Sequence, residues 1–207
     1  MSKPFLLGIA GASGSGKTYL ASKITEDLGD NASLLCVDFY YKPRHGLSME
    51  EKNRINYDHP EALELDRLAE DLYVLKGGTD IHAPVYDFSQ HNRDESQTNH
   101  IKANSVIVIE GILTFHSDIV ENALDYKIFV DTPIELCYQR RLERDIVERG
   151  RTKESVYQQW QETVFPMHQQ FCAPTKDKAD VVVEGEGGYA DFLNELYCHM
   201  NVSPKRC

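Results

Sequence analysis

The chain has 207 residues, 41% of them hydrophobic, and a formal net charge of −11. This length suits a single domain with a substantial core over residues 1–207, and the negative charge disfavours nucleic-acid binding because it repels phosphate backbones. No stretch approaches the roughly 18 uninterrupted apolar residues of a membrane span, and the N-terminal stretch is too short for a secretory signal, so we expect a cytoplasmic protein.

Apolar runs alternate with amphipathic stretches along the chain. The apolar, β-branched runs predict strands at residues 5–10, 33–37, 105–110, 126–131 and 179–183. The amphipathic patterns predict helices at residues 17–28, 60–76, 133–148, 153–171 and 189–200. This alternation predicts an α/β fold of three layers, in which helices cover both sides of a five-stranded parallel sheet.

One region interrupts the alternation. Residues 79–101 contain TDIHAPVYDF and then, after a polar stretch, TNHI, which predicts an inserted β-hairpin. Because the insertion lies outside the regular alternation, we expect it to contribute to substrate binding. The last residues, NVSPKRC, are typical of a loose tail.

The segment GASGSGKT joins the first predicted strand to the first predicted helix. It matches GxxxxGK[ST], in which glycines let the backbone direct successive N–H groups at phosphate oxygens beside a helix N-terminus. Lys17 would then reach the β- and γ-phosphates, and the Thr18 hydroxyl would bind Mg²⁺. A glycine-rich turn that matches by chance is the alternative, but the strand-then-helix context favours nucleoside-triphosphate binding. The residues predicted to bind the nucleotide here are Gly11, Ala12, Ser13, Gly14, Ser15, Gly16, Lys17, Thr18 and Tyr19.

A P-loop does not by itself separate a kinase from a guanine-nucleotide switch or an ATP-driven motor. A switch would carry a DxxG turn and an NKxD motif, yet no Asp in this sequence is followed by Gly three residues later and no Asn by Lys. Phosphoryl transfer to a small acceptor instead requires a metal site, a base, positive charge and exclusion of water. The sequence offers a candidate for each requirement.

Two acidic residues end predicted strands. Asp38 follows the second strand in LLCVDFYYK, at the sheet edge where parallel sheets bind ligands, which makes it the candidate base. A residue that caps a turn is the alternative for Asp38. Glu110 ends SVIVIEG, and an acidic residue at the tip of a buried strand is costly unless it meets water, a metal or a partner. Glu110 is therefore the candidate metal ligand.

The helix after the fourth strand ends in QRRLERDIVERGR. Arg141 and Arg144 share one helix face, and Arg149 and Arg151 flank a glycine at which the helix should stop. This pattern predicts a lid at about residues 149–160 that brings arginines to phosphate and excludes water. The alternative is that Asp145, four residues from Arg141 and from Arg149, forms ordinary surface salt bridges.

The predicted hairpin carries the sequence PVYDFSQHNR. Aromatic rings such as Tyr86 and Phe88 can stack on a planar base, and His91 can hydrogen-bond its carbonyl edge. Packing within the hairpin is the alternative and, on these residues alone, the favoured interpretation. Asp58, in NYDHPEAL, precedes a predicted helix and is by default an N-cap or turn residue.

Taken together, the blocks GASGSGKT, VDFYYK, NYDHPEAL, PVYDFSQHNR, VIEGIL, RRLERDIVERGR and PTKDKADVVV resemble the uridine kinase (uridine-cytidine kinase) family. They follow that family's order from residue 8 to about residue 183, so the resemblance covers nearly the whole chain. It implies transfer of the γ-phosphate of ATP or GTP to the 5′-hydroxyl of uridine or cytidine with Mg²⁺, giving UMP or CMP for pyrimidine salvage. It also implies a homotetramer.

The same resemblance implies roles for individual residues. Asp38 would be the catalytic base, with Lys17 and Arg144 as further catalytic residues. The implied metal site consists of Thr18, Asp38 and Glu110. The implied ligand contacts are Asp58 and Arg141 at the ribose hydroxyls, Tyr86 and His91 at the pyrimidine edge, Phe88 stacked on the base, Arg151 and Gln159 at the nucleoside, and Arg144, Arg149 and Arg151 at the phosphates.

Two stretches depart from the family's pattern. Phe39 stands where members usually have a small residue, which could reshape the floor of the nucleoside pocket. VVVEGEGGY places Glu184 and Glu186 where members have Pro, a basic residue and Gly near the donor base, which leaves the choice between ATP and GTP open. Two other functions remain as alternatives: a related kinase for ribulose 5-phosphate or pantothenate, and a non-catalytic nucleotide-binding regulator.

Overall fold

A parallel β-sheet forms the centre of the computed structural model, which describes residues 3–205. The strands in chain order are β1 (Phe5–Gly11), β2 (Ala32–Cys36), β3 (Ile81–Asp87), β4 (Asn92–Ile101), β5 (Val106–Glu110), β6 (Tyr126–Asp131) and β7 (Val181–Glu184). Five of them form the parallel sheet, in the spatial order β2-β5-β1-β6-β7. The five strands expected for this sheet are confirmed.

Both faces of the sheet are buried. Leu6 and Ala10 of β1 belong to one core cluster, whereas Leu7 and Ile9 belong to the other. Strand β5 divides between the two clusters in the same alternating way. Successive side chains of a strand point to opposite faces, so a strand with two buried faces is apolar throughout. The sheet is therefore the middle of three layers, as predicted.

Helices cover the sheet on each side. Helices α1 (Lys17–Leu28) and α8 (Ala190–His199) pack on one face, and α3 (Leu65–Lys76) and α4 (Asp118–Ala123) pack on the other. Within residues 3–205, no helix combines the length and apolar character that crossing a membrane requires. The other helices are α2 (Met49–Asn53), α5 (Ile134–Val147), α6 (Lys153–Gln159) and α7 (Phe165–Met167).

The helix predicted at residues 60–76 begins later than expected. Pro60–Ala62 form a 3₁₀ turn, and Leu63 then pairs with Tyr41 in an isolated β-bridge. The chain must be extended to make this bridge, so α3 cannot start before it. Helices α2 and α4 were not predicted because five or six residues carry too little periodicity to be recognised.

Helices α6 and α7 belong to one continuous helical segment. It contains π-helical turns at Trp160–Val164 and His168–Cys172 and ends in a 3₁₀ turn at Ala173–Lys178. Pro166 lies between the two π-helical turns, and proline cannot donate the hydrogen bond that a regular α-helix needs. The helix predicted at residues 153–171 is confirmed in extent, but it is irregular.

Strands β3 and β4 pair antiparallel and confirm the hairpin predicted at residues 79–101. At its turn the Asp87 carboxylate accepts the N–H groups of Ser89 and Gln90 at 2.7 and 3.2 Å. His91 follows with a φ of 45°, which a non-glycine residue rarely adopts. The bonds of Asp87 therefore stabilise a turn that holds His91 in an unusual conformation.

The last described residues pack against the domain. Val202 contacts the core cluster that α1 and α8 share, and the Lys205 N–H donates to the Asp27 carbonyl at 2.6 Å. The prediction of a loose tail is wrong for residues 201–205, because the partial burial of Val202 and this hydrogen bond attach them to the domain. Residues 206 and 207 lie outside the described residues.

Candidate active site

The GASGSGKT loop connects β1 to α1 at the carboxyl edge of the sheet. Gly14 has a φ of 85°, and a Cβ at this position would lie 2.2 Å from the Cys137 carbonyl oxygen. Gly16 caps α1 with a φ of 97°. Only glycine adopts these torsions without strain. Thr132, which follows β6, stabilises the loop because its hydroxyl donates to the Ser15 carbonyl at 2.8 Å. The loop thus presents the N-terminus of α1, where backbone N–H groups favour phosphate.

A cavity of about 460 Å³ opens beside this loop. Its volume lies in the range that is typical of ligand sites. The guanidinium of Arg140 donates to the Gly185 carbonyl at 3.1 Å and so ties the loop after β7 to the cavity wall. Besides the P-loop residues, the lining side chains are Tyr19, Arg140, Arg144, Glu186 and Tyr189.

The three predicted metal ligands lie at the same edge of the sheet. The Thr18 hydroxyl donates to one Glu110 carboxylate oxygen at 3.2 Å, and the Cys36 thiol donates to the other at 3.2 Å. Asp38 is close enough for the charge of Glu110 to affect it. Two carboxylates and a hydroxyl are oxygen ligands of the kind that Mg²⁺ takes together with substrate phosphates. Nowhere in residues 3–205 do three or more His, Cys, Asp or Glu side chains group as a metal site. The oxygen atoms of Thr18, Asp38 and Glu110 fit a metal that shares its coordination with phosphate.

Asp38 lies in a 3₁₀ turn, Val37–Tyr40, directly after β2. Burial and the charge of Glu110 raise the pKa of Asp38 to about 6, although Lys17 and Arg149 act to lower it. The carboxyl group is therefore mainly ionised at neutral pH but more basic than an ordinary aspartate. Both properties suit a proton acceptor.

Asp58 faces the site and does not start a helix. It is 7% exposed, and the turn that follows is capped by the side chain of His59, which accepts the Glu61 N–H at 3.2 Å. Asp58 is therefore not the N-cap, but it does lie in a turn, which the His59 N–H closes by donating to the Asn56 carbonyl at 3.4 Å, so the turn half of the default interpretation holds. Burial raises the pKa of Asp58, whereas Arg141 and Lys17 lower it. A carboxylate near two cations and the P-loop can accept hydrogen bonds from ligand hydroxyls.

The aromatic residues of the hairpin join aromatic residues from two other segments. Tyr86 is 6% exposed, and its ring centroid lies 5.0 Å from that of Tyr41 and 5.2 Å from that of Phe88. His91 stacks on Tyr57 with centroids 5.3 Å apart. Burial, and then the nearby arginines of the lid segment, lower the pKa of His91, which favours the neutral ring. The cluster fixes these side chains, while Phe88, 38% exposed, keeps surface for a ligand.

Asp145 lies at the centre of the arginines that the sequence singles out, and its side chain is completely buried. One carboxylate oxygen accepts hydrogen bonds from Arg144 at 2.8 and 3.0 Å and lies 3.5 Å from Arg149. The other oxygen lies 3.5 Å from Arg141 and 3.6 Å from Arg151. The pairs of Asp145 with Arg141 and Arg149 therefore form, as the alternative expected, but they are not ordinary surface salt bridges, because one buried carboxylate serves all four guanidinium groups.

This arginine cluster contacts the P-loop, the following helix and the hairpin. Arg141 donates to the Ser13 hydroxyl at 2.7 Å and to the Gln159 side-chain oxygen at 3.0 Å. The Arg149 guanidinium lies over the ring of Phe88, 5.2 Å from its centroid. The structure thus brings together the predicted lid residues and the predicted base-binding residues, although they are some 60 residues apart in sequence.

A model of the phosphoribulokinase / uridine kinase family matches residues 6–187. The chain belongs to this family. A uridine kinase from Geobacillus sp. (strain WCH70) is 45% identical over 195 residues, which cover 94% of this chain and 92% of the relative. A uridine kinase from Lactobacillus helveticus is 42% identical over 198 residues, which cover 95% of this chain and 93% of the relative. The resemblance stated from the motifs is confirmed.

Solved structures share the fold. Phosphoribulokinase from Rhodobacter spheroides has a TM-score of 0.64 at 16% identity, covering 88% of this chain and 70% of its own. The structure of a possible uridine kinase from Bacillus stearothermophilus has a TM-score of 0.60 at 18% identity, covering 88% and 89%. At these identities the comparison concerns the fold alone. The predicted P-loop kinase fold is confirmed.

Two stretches of this family member depart from the pattern expected from its motifs. Phe39 is partly buried and packs against the core cluster on the α3 side of the sheet. Glu184 ends β7, and Glu186 lines the cavity beside the P-loop. Of these two acidic residues, Glu186 therefore lies at the cavity beside the P-loop.

Sequence reasoning left several of these residues out of the site. The motifs do not single out Tyr41 or Tyr57, although Tyr57 directly precedes Asp58 and Tyr41 follows Asp38 by three residues. The shared helix face selects Arg141 and Arg144 and omits Arg140, which lines the cavity. The sequence offers Asp145 only as a partner in surface salt bridges, but its position four residues from two of the arginines is the signal that identifies it as their common centre.

Proposed function

We propose that the protein is a uridine kinase that transfers the γ-phosphate of ATP to the 5′-hydroxyl of uridine or cytidine and yields UMP or CMP. The observation that carries this proposal is the convergence of Asp38, Asp58 and the aromatic hairpin beside the P-loop. Membership of the family and the relatives named uridine kinase, 45% and 42% identical, support it.

In this proposal the nucleoside lies between the hairpin and the P-loop. Asp58 and Arg141 hold the ribose hydroxyls, since a buried carboxylate and a guanidinium offer an acceptor and donors to vicinal hydroxyl groups. Phe88 stacks on the pyrimidine. The remaining nucleoside contacts are Tyr86 and His91 at the base edge and Arg151 and Gln159 on the lid side.

Asp38 acts as the base in the transfer step. It takes the proton of the 5′-hydroxyl while that oxygen forms its bond to the γ-phosphorus and the bond from phosphorus to the leaving ADP oxygen breaks. Lys17 and Arg144 stabilise the negative charge on the transferring group. The pKa of about 6 means that Asp38 is available as an acceptor at neutral pH.

We propose Mg²⁺ as the metal, with Thr18, Asp38 and Glu110 around it and the donor phosphates completing its ligands. When bound, the ion neutralises phosphate charge. The hydrogen bond from Thr18 to Glu110 supports this assignment, because it keeps the hydroxyl and the carboxylate within reach of one ion.

Residues 149–160 are proposed as a lid over the phosphates. Arg149 and Arg151 belong to it, and the loop residues Gly11, Ala12, Ser13, Ser15 and Tyr19 join Gly14, Gly16, Lys17 and Thr18 in binding the donor. The backbone at Gly150 has a φ of 62° and open space around it, which suits a segment that closes after the donor enters.

Further proposals follow from the resemblance. We place the enzyme in pyrimidine salvage and in the cytoplasm, as a single domain over residues 1–207 that assembles as a homotetramer. GTP is a second candidate donor. Its use would depend on the loop after β7, where Glu186 lines the donor cavity.

The test is a coupled assay of ADP release from Mg-ATP with uridine, cytidine, deoxyuridine, ribulose 5-phosphate or pantothenate, repeated with GTP. We expect stimulation by uridine or cytidine and poor stimulation by deoxyuridine, because loss of the 2′-hydroxyl leaves buried polar groups unpaired. Turnover with ribulose 5-phosphate or pantothenate alone would identify the related kinase. Nucleotide binding without turnover on any acceptor would identify a regulator.

A further inference from the structure

The arginine cluster carries more charge than its protein partner neutralises. Arg141, Arg144, Arg149 and Arg151 lie within 3.6 Å of the single carboxylate of Asp145. With Asp145 alone, the four guanidinium groups leave a net charge of about +3; Asp58, which interacts with Arg141 and Arg144, and Asp38, which interacts with Arg149, lower this charge but leave it positive. Burial and then the charge of Arg144 lower the pKa of Arg149, a sign that the cations repel one another. Because like charges repel, the arginines stay close together only if an opposite charge or hydrogen bonds offset that repulsion.

Asp145 holds the group unevenly. The oxygen nearest Arg144 accepts two hydrogen bonds. The other oxygen is buried and makes no hydrogen bond of normal geometry with residues 3–205, although Arg141 and Arg151 lie 3.5 and 3.6 Å away. Those two arginines donate instead to the side-chain oxygen of Gln159. Asp145 therefore aligns several guanidinium N–H groups that do not form hydrogen bonds with it.

The backbone of the same residue fixes the beginning of the lid. The Arg151 N–H donates to the Asp145 carbonyl oxygen at 3.1 Å, across the turn that contains Gly150. Asp145 thus anchors α5 to the segment that carries Arg149 and Arg151 through both its backbone and its side chain. This explains how two arginines beyond the helix end reach the same point as two arginines within it.

We propose that Asp145 is a positioning residue that gathers the four arginines beside the P-loop before the donor binds and competes with the donor's phosphates for them. The inference rests on the proposed function, since it assumes that these arginines meet a triphosphate. The negative charge of Asp145 lowers the affinity of the empty site for anions, and the position of its carboxylate sets the alignment of the arginines that the transfer step needs. Removal of the charge of Asp145 should therefore raise the affinity for anions and lower the rate of turnover.

The first experiment compares wild type with Asp145→Asn, which keeps the shape of the side chain and removes its charge. Binding of inorganic tripolyphosphate and of ATP is measured by calorimetry at two salt concentrations without acceptor, and uridine-dependent kcat is measured separately. We expect tripolyphosphate to bind about fivefold more tightly, with a steeper salt dependence, because one repelling charge is gone. We expect kcat to fall by about tenfold or more, since the arginines lose their alignment.

The matched control is Glu121→Gln. Glu121 also joins two cations, Lys127 at 3.2 Å and Lys178 at 2.7 Å, but it lies on α4 outside the site. This control should change neither anion affinity nor kcat. If Asp145→Asn weakens tripolyphosphate binding, or changes affinity and kcat no more than the control does, Asp145 is a structural residue and the proposal is wrong.

A second variant tests the proposal if Asp145→Asn does not fold. Asp145→Glu keeps the charge and moves the carboxylate by one methylene, so anion affinity should stay within about twofold of wild type while kcat falls. An unchanged kcat would contradict the positioning role. The binding arm needs no nucleoside, so a wild-type protein that binds tripolyphosphate but phosphorylates no nucleoside would overturn the proposed function while the effect on affinity is still tested.

Discussion

The two ends of the candidate site are built by different means. At the donor end, the P-loop uses its own backbone, and the torsions of Gly14 and Gly16 set its shape. At the acceptor end, side chains of Asp38, Asp58 and His91 come from three separate segments and are held by packing and charge. A backbone site is fixed by a few consecutive residues, whereas a side-chain site depends on every segment that contributes to it. A substitution that distorts the backbone should therefore abolish binding at the donor end. At the acceptor end, each side-chain substitution should remove only the contact that this side chain makes.

The largest effect is expected from Asp38→Asn at the acceptor end. Turnover should fall by about 10³-fold, since a general base contributes roughly 10²- to 10⁴-fold, while uridine binding is retained. Steady-state kinetics and equilibrium binding of uridine separate the two quantities. Turnover within about tenfold of wild type would mean that Asp38 is not the base.

The pH profile provides the control for this variant. Asp38 must be deprotonated to accept a proton, and its pKa is raised to about 6, so kcat/KM for uridine should fall as the pH drops through about 6. Asp38→Asn should lack that inflection. A wild-type profile that is flat between pH 5 and 7 would contradict the assignment.

At the donor end, Gly14→Ala should disrupt the backbone. The added Cβ meets the Cys137 carbonyl at 2.2 Å and the φ of 85° is unfavourable for alanine, so we expect a loss of about 3 kcal/mol in the free energy of unfolding and loss of ATP binding. Urea unfolding and calorimetry measure both. Gly188→Ala is the control, because its Cβ would enter open space and should cost under about 0.5 kcal/mol. Equal effects of the two substitutions would refute a special role for Gly14.

A smaller effect is expected from Asp58→Asn, which removes a charge but keeps the shape of the side chain. The KM for uridine should rise about thirtyfold, since hydrogen bonds to a charged group contribute roughly 1.5–3 kcal/mol. The KM for deoxyuridine should rise less, because one of the hydroxyl partners is already missing. Identical rises for both nucleosides would show that Asp58 does not bind the 2′-hydroxyl.

The smallest effect is expected from His91→Ala. The KM for uridine should rise about fivefold, as one neutral hydrogen bond contributes about 1 kcal/mol, and the KM for ATP should stay unchanged. His82→Ala is the control, since this hairpin histidine stacks on His100 outside the aromatic cluster. Equal increases in the KM for uridine and for ATP would indicate that His91 supports the fold and not base recognition.

Much of the fold could be predicted because strand and helix patterns are local. The five strands of the sheet and the inserted hairpin are confirmed, and so is the P-loop between β1 and α1. The start of α3 could not be predicted, since the bridge between Tyr41 and Leu63 depends on residues far apart in sequence. The P-loop pattern indicated the donor end directly, and the position of Asp38 at a strand end made it the candidate base, whereas the role of Asp58 needed the family resemblance. Both roles stay predictions.

The sequence by itself determined the class of fold, the phosphate-binding loop and the family, because each depends on residues that are close together or on motifs in a fixed order. Only the tertiary structure decided what surrounds each charge. It buried Asp145 among four arginines and took Asp58 out of its expected capping position. Burial and the distance between charges depend on the packing of distant segments, and these two quantities determine what a carboxylate can do.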